Sequence, residues 1–104
     1  MDNLKKNIEK VIHEIDEVVE MFYQQKTKEA YTRLDSVLAD LLQVVDPIHG
    51  YEEEHPEEGV DSESLTDALK ETLSAMEEKD AIITADVLKY EVNEKLETIM
   101  NAIQ

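Results

Sequence analysis

The sequence predicts an all-α protein, an antiparallel up-and-down bundle of four helices in one domain, residues 1–104. Three observations carry this. Apolar residues recur at steps of three and four almost from end to end, the period of one helix face. The two glycines and two prolines all fall between positions 47 and 59, whereas a β protein needs turn residues throughout. Hydrophobic residues make up 41% of the chain, with one Phe and no Trp, so the core is aliphatic.

The first helix is expected over 3–24. Its seam is Leu4, Ile8, Val11, Ile15, Val18 and Phe22, widened by Ile12 and Val19. Asp2 or Asn3 can cap its start. The phase then breaks: the old seam continues onto Gln25, Glu29, Thr32 and Ser36, all polar. A new one begins with Ala30, Leu34, Val37, Leu41, Val44 and Ile48. That shift marks a turn, with Thr27 as N-cap and a second helix over 28–45. Pro47 disfavours helix at Asp46, so 46–63 reads as a long acidic loop.

The third helix is expected over 64–78, with Ser64, Leu65, Thr66 and Asp67 resembling a capping box. The fourth, over 81–103, carries Ala81, Ala85, Leu88, Val92, Leu96, Ile99 and Ile103. The stripe of the third helix stays in phase onto Ile83 and Val87, so one continuous helix of about 40 residues, ~60 Å long, is the alternative. A tight turn with Asp80 as N-cap is preferred, because it lets one chain close its own core.

Charge is the second theme. Against 26 acidic residues stand 10 basic ones, a formal net charge of −16. Residues 47–63 hold seven acids and no Lys or Arg, while residues 1–26 hold six acids against four Lys. Phosphate contact needs clustered Lys and Arg, so neither nucleic acid nor an anionic membrane surface is an expected partner. The balance favours basic partners instead. The N-terminal sequence has charges every few residues and no apolar signal core, and no run approaches a membrane span. A cytoplasmic protein is expected.

Catalytic and metal-binding residues are not expected. The chain has no Cys, which removes disulfides and thiolate chemistry. Ser62, Ser64 and Thr66 read as helix caps, and no glycine-rich phosphate loop occurs. The cluster Glu52, Glu53, Glu54, His55, Glu57 and Glu58 could hold a divalent cation, but a solvated acidic loop explains it more simply. His13 and His49 read as surface residues. No cofactor is implied.

The remaining candidates are apolar. Ile82, Ile83, Val87 and Tyr90 make the first half of the fourth helix apolar around most of its circumference. Tyr31 and Tyr90 sit beside their seams, where a tyrosine is either half-buried core or an interface anchor. Ile83, Val87, Tyr90 and Tyr31 are therefore the candidate partner-binding residues. The segment 78–91, EKDAIITADVLKYE, resembles a recurring stretch in small helical proteins of Gram-positive bacteria: an Asp, an aliphatic run, then Ala-Asp-x-Leu-x-Tyr-Glu. Some of those proteins look like flagellar-type export chaperones or adaptors. The resemblance implies a helical hairpin around Asp80 and carries no catalytic residue.

The expected function is a non-enzymatic interaction module, adaptor or chaperone-like, for a basic or amphipathic helical client. A homodimer is compatible with the pattern. Two other classes remain open: an acidic mimic of nucleic acid that fills a basic groove, and a divalent-cation-binding regulator.

Overall fold

A computed structural model describes residues 2–103, and for Asp2 the backbone alone. Four helices account for nearly all of it. Helix α1 spans Asp2–Tyr23 and α2 spans Thr27–Glu54. A 3-10 turn, Pro56–Glu58, leads to α3, Ser62–Glu77. Helix α4 is one run made of Ala81–Val87, a π-helical turn Leu88–Val92, and Asn93–Ala102. Among the described residues there is no strand.

The seams form the core. Ile8, Val11, Ile15, Val18 and Phe22 of α1 are buried with Leu34, Val37 and Leu41 of α2. Leu65 and Leu69 of α3 and Leu88, Val92, Leu96 and Ile99 of α4 complete it. Helix α1 packs along both α2 and α4, and α3 lies mainly on α4. Tyr23, late in α1, meets Asp86 early in α4, whereas Asn93 meets Ile12 and Asp16 earlier in α1. Those two helices therefore run in opposite directions. The radius of gyration, 13.5 Å, is close to the ~13 Å of a compact domain of this length.

The turn at 78–80 forms as expected. Lys79 takes a left-handed conformation, φ 57°, and the Asp80 N–H reaches back to the Ala75 carbonyl. The Asp80 carboxylate then accepts the Ile83 N–H at 3.0 Å, capping α4. The earlier reversal works similarly, with Gln25 at φ 65° and the Lys26 N–H on the Met21 carbonyl.

Three expectations need correction. The long loop 46–63 is largely helix, because α2 continues through Pro47 to Glu54. A proline inside a helix costs about 3 kcal/mol, but Ile48 is buried on the α2 seam one residue later and Tyr51 is half-buried beyond it. Stopping at Asp46 would leave Ile48 and Tyr51 unanchored. The irregular segment shrinks to 55–61, where Gly59 takes φ 72°. Next, α3 starts at Ser62 and Asp61 is its cap, not Ser64: the Asp61 carboxylate accepts the Ser64 N–H at 3.1 Å and the Ser64 hydroxyl at 2.7 Å. Finally, Thr27 is the first residue of α2, and the capping position falls on Lys26, without a side-chain bond. The Asp2 side chain, expected to cap α1, lies outside the described residues.

Candidate docking surface

Positions 83, 87 and 90 lie at steps of four and three, so α4 lines them up on one stripe. Thr84, Ala85 and Leu88 turn inward and are buried. Ile83 and Tyr90 are left 49% and 53% exposed, and Val87 half-buried. Ile82 is exposed beside them. About half of each of Ile82, Ile83 and Tyr90 is open to solvent, which makes this face of α4 the candidate docking surface.

The stripe borders the crease between α3 and α4. Ile83 and Val87 line a hollow of about 350 Å³ with Ala75, Glu71, Glu78 and Asp80. Tyr90 lines a second, of about 440 Å³, with Ser64, Glu91, Glu94, Lys95 and Ile99. The structure thus brings Ile83 and Val87 together and sets Tyr90 at the next hollow along the same crease. Tyr31 lies elsewhere: it is half-buried on α2, its ring edge-to-face with Phe22 at 4.9 Å, and it lines neither hollow. Its place is against the core.

Contacts across 60 or more positions brace the stripe, and periodicity alone could not reveal them. The Tyr23 hydroxyl donates to the Asp86 carboxylate at 2.7 Å. That bond, with some burial and the negative charge of Asp86, pushes the Tyr23 phenol up to about 12. The Lys89 ammonium lies 5.7 Å from the Tyr23 ring centre and 5.2 Å from that of Tyr90, within cation–π range of both. Asn93 is 3% exposed; its amide donates to Asp16 at 2.8 Å and to the Ile12 carbonyl at 3.4 Å. It closes the π turn, its N–H reaching back to the Leu88 carbonyl. π turns interrupt helices at functional places more often than elsewhere. The sequence signal was present: Leu88, Val92 and Leu96 make two successive steps of four, which an extra residue in one turn accommodates.

The acidic segment is tied down. Glu52 accepts the Ser62 N–H at 2.9 Å, and its bonding to Ser62 holds the carboxyl below its usual range. Bonding from Ser64 does the same for Asp61. The Tyr51 hydroxyl donates to Glu58. His55, Glu57 and Glu58 bring one potential ligand atom each within 4.8 Å of one another; the Glu58 bond to Tyr51 and the 3.5 Å contact of His55 with Glu58 already account for this arrangement. His13 is exposed on α1.

One grouping has the order of a hydrolase triad: the Ser62 hydroxyl lies 3.2 Å from His49 Nδ1, and His49 Nε2 lies 3.5 Å from Glu53. Two features set it apart from a working triad. Ser62 is largely buried. The N–H groups at the start of α3 that would stabilise an oxyanion are taken by the Glu52 and Asp61 carboxylates, and a negative charge there opposes a second.

No described helix is long and apolar enough to cross a membrane. The family described as a domain of unknown function (DUF8042) matches over residues 1–102, and the chain belongs to it. No curated protein and no solved structure matches.

Proposed function

We propose that this member of the DUF8042 family is a non-enzymatic protein-interaction module, an adaptor or chaperone-like protein that docks a basic or amphipathic helical client. The supporting observation is the exposed stripe Ile83, Val87 and Tyr90 beside the α3–α4 crease. Burying such a stripe against a client helix would gain roughly 25 cal/mol for each Å² of apolar surface covered. The acidic balance of the chain would speed and orient the approach of a basic client.

In this reading the four helices form an up-and-down antiparallel bundle. Tight reversals at 24–26 and 78–80 and the opposed course of α1 and α4 support it. The first hairpin is scaffold, and α4 presents the client surface. The protein works in the bacterial cytoplasm, and the resemblance of residues 78–91 to export-type adaptors favours a client on its way to assembly or export. Tyr31 takes no part in the surface, because its ring is committed to Phe22.

The test is affinity capture from an extract of the source cells with wild-type protein and a Val87→Asp, Tyr90→Ala double variant. Circular dichroism first establishes that the variant is folded. The reading expects the captured proteins to be lost with the variant. Their retention at wild-type levels sinks it.

A further inference from the structure

Resting on that docking surface, the geometry points to its occupant: one helix of a basic partner, about four turns long, laid along the whole α3–α4 crease. The two hollows both lie between α3 and α4, and an occupant spanning them would treat them as one trough. On α3 their lining includes Ser64, Glu71, Ser74 and Glu78, at steps of seven, three and four. On α4 it includes Ile83, Val87, Tyr90 and Glu94, at steps of four, three and four. The α3 set is one helix stripe; on α4 the π turn Leu88–Val92 lies between the residues of the two hollows, and both hollows are lined from α3 and α4 together. From Ile83 to Thr98 the trough runs about 22 Å at 1.5 Å per residue.

The floor selects a helix. Ile83, Val87 and Tyr90 meet apolar side chains spaced i, i+4 and i+7 on an occupant, the helix-in-groove pattern. A strand would need a free sheet edge, and the described residues contain no sheet.

The rims select its charge. Glu71, Glu78 and Asp80 stand around one hollow, Asp61, Glu91 and Glu94 around the other. Against these six acids stand Lys70 and Lys95, and Lys95 is already 3.7 Å from Glu91. Lys or Arg on both flanks of the occupant would neutralise the excess. A second copy of this chain would set acidic rim against acidic rim within a molecule of net charge −16, and is disfavoured.

The probe is a synthetic helical peptide of about 18 residues, with leucines at i, i+4, i+7 and i+11 and lysines on both flanks. A second peptide has the same composition with the leucine stripe scrambled. Binding is read by fluorescence anisotropy over a salt series. Val87→Asp is expected to weaken the striped peptide about tenfold or more. Glu71→Gln with Glu94→Gln weakens it several-fold and flattens its salt dependence. Glu53→Gln with Glu54→Gln removes the same charge from the exposed end of α2 and leaves binding within about twofold. The scrambled peptide binds at least about tenfold more weakly.

Equal binding of both peptides, or equal losses in the rim and α2 variants, would overturn the proposal, since net charge alone would then explain affinity. Sedimentation showing a dimer that Val87→Asp dissolves would assign the trough to a second copy and overturn it as well. If the captured partners depend on Val87 and Tyr90 but the striped peptide does not bind, the docking surface stands and the basic-helix occupant falls.

Discussion

Substituting the two glycines tests the course of the chain through 46–63 with opposite signs. Gly50 lies inside α2, and a Cβ built there meets nothing within 4 Å. Gly50→Ala therefore adds no clash and removes the entropic cost of glycine in a helix interior, about 0.5–1 kcal/mol. A methyl at Gly59 also meets nothing within 4 Å, but the backbone there has φ 72°. Gly59→Ala then carries only the left-handed penalty of an L residue, about 1–2 kcal/mol. For a chain of about 100 residues, 1 kcal/mol moves Tm by about 4–8 °C. Gly50→Ala is expected to raise Tm by about 2–8 °C and Gly59→Ala to lower it by at least about 4 °C. Thermal and urea unfolding, both followed by circular dichroism at the helix band, measure these shifts. If Gly50→Ala lowers stability, the helix does not pass through Pro47 as described; if Gly59→Ala leaves it unchanged, the left-handed turn at 59 is wrong.

Other consequences concern polar groups. Burial, and then the hydrogen bond and negative charge of Asp40, push the Glu14 carboxyl up against the opposing pull of Lys10 and Arg33. A carboxyl raised on folding contributes stability that is present below its ordinary value near 4.5 and lost as pH rises through the folded value. Glu14→Gln should therefore gain about 1 kcal/mol at neutral pH and little below pH ~4, in urea titrations across that range. Asn93→Asp sets a carboxylate on the Asp16 carboxylate in a buried position and should cost about 2–3 kcal/mol at pH 7, with recovery on acidification. Tyr23, pushed up to about 12, should show as a late ionisation step near that value in an ultraviolet titration. Its raised value adds stability up to the ordinary phenol range that fades as pH climbs through about 12, and Tyr23→Phe should remove that late step.

The helices were legible because burial imposes a period that composition cannot hide: every seam residue from Ile8 to Phe22 and from Ala30 to Ile48 is buried. The seam also points past Pro47, since Ile48 belongs to it, whereas the local rule for the residue before proline argues for a stop at Asp46. The tertiary term wins there because an unburied Ile48 and Tyr51 would forfeit more than the helix loses at one proline. The caps lie within a few residues of where the pattern puts them, and Asp61 is hidden because Ser64 and Asp67 offer a similar local pattern. Ile83, Val87 and Tyr90 were legible as excess apolar width on α4. The bonds of Tyr23 with Asp86 and of Asn93 with Asp16 were not, since they join positions 63 and 77 apart and depend on how α4 is rotated against α1. Tyr31 was ambiguous for the same reason: a seam-edge tyrosine is core or interface according to what lies beside it, and here that is Phe22.

The central claim is that a protein partner docks on the outer face of α4 at the α3–α4 crease. Backbone amide NMR spectra of the labelled protein, recorded with and without a captured partner, test it most directly. The largest changes are expected at Ile83, Val87, Tyr90 and Glu94, with Ser74 and Glu78 across the crease, while α1 and the first half of α2 stay unmoved. Changes concentrated on α1 and α2, or on 52–58, with the crease unaffected, would contradict it.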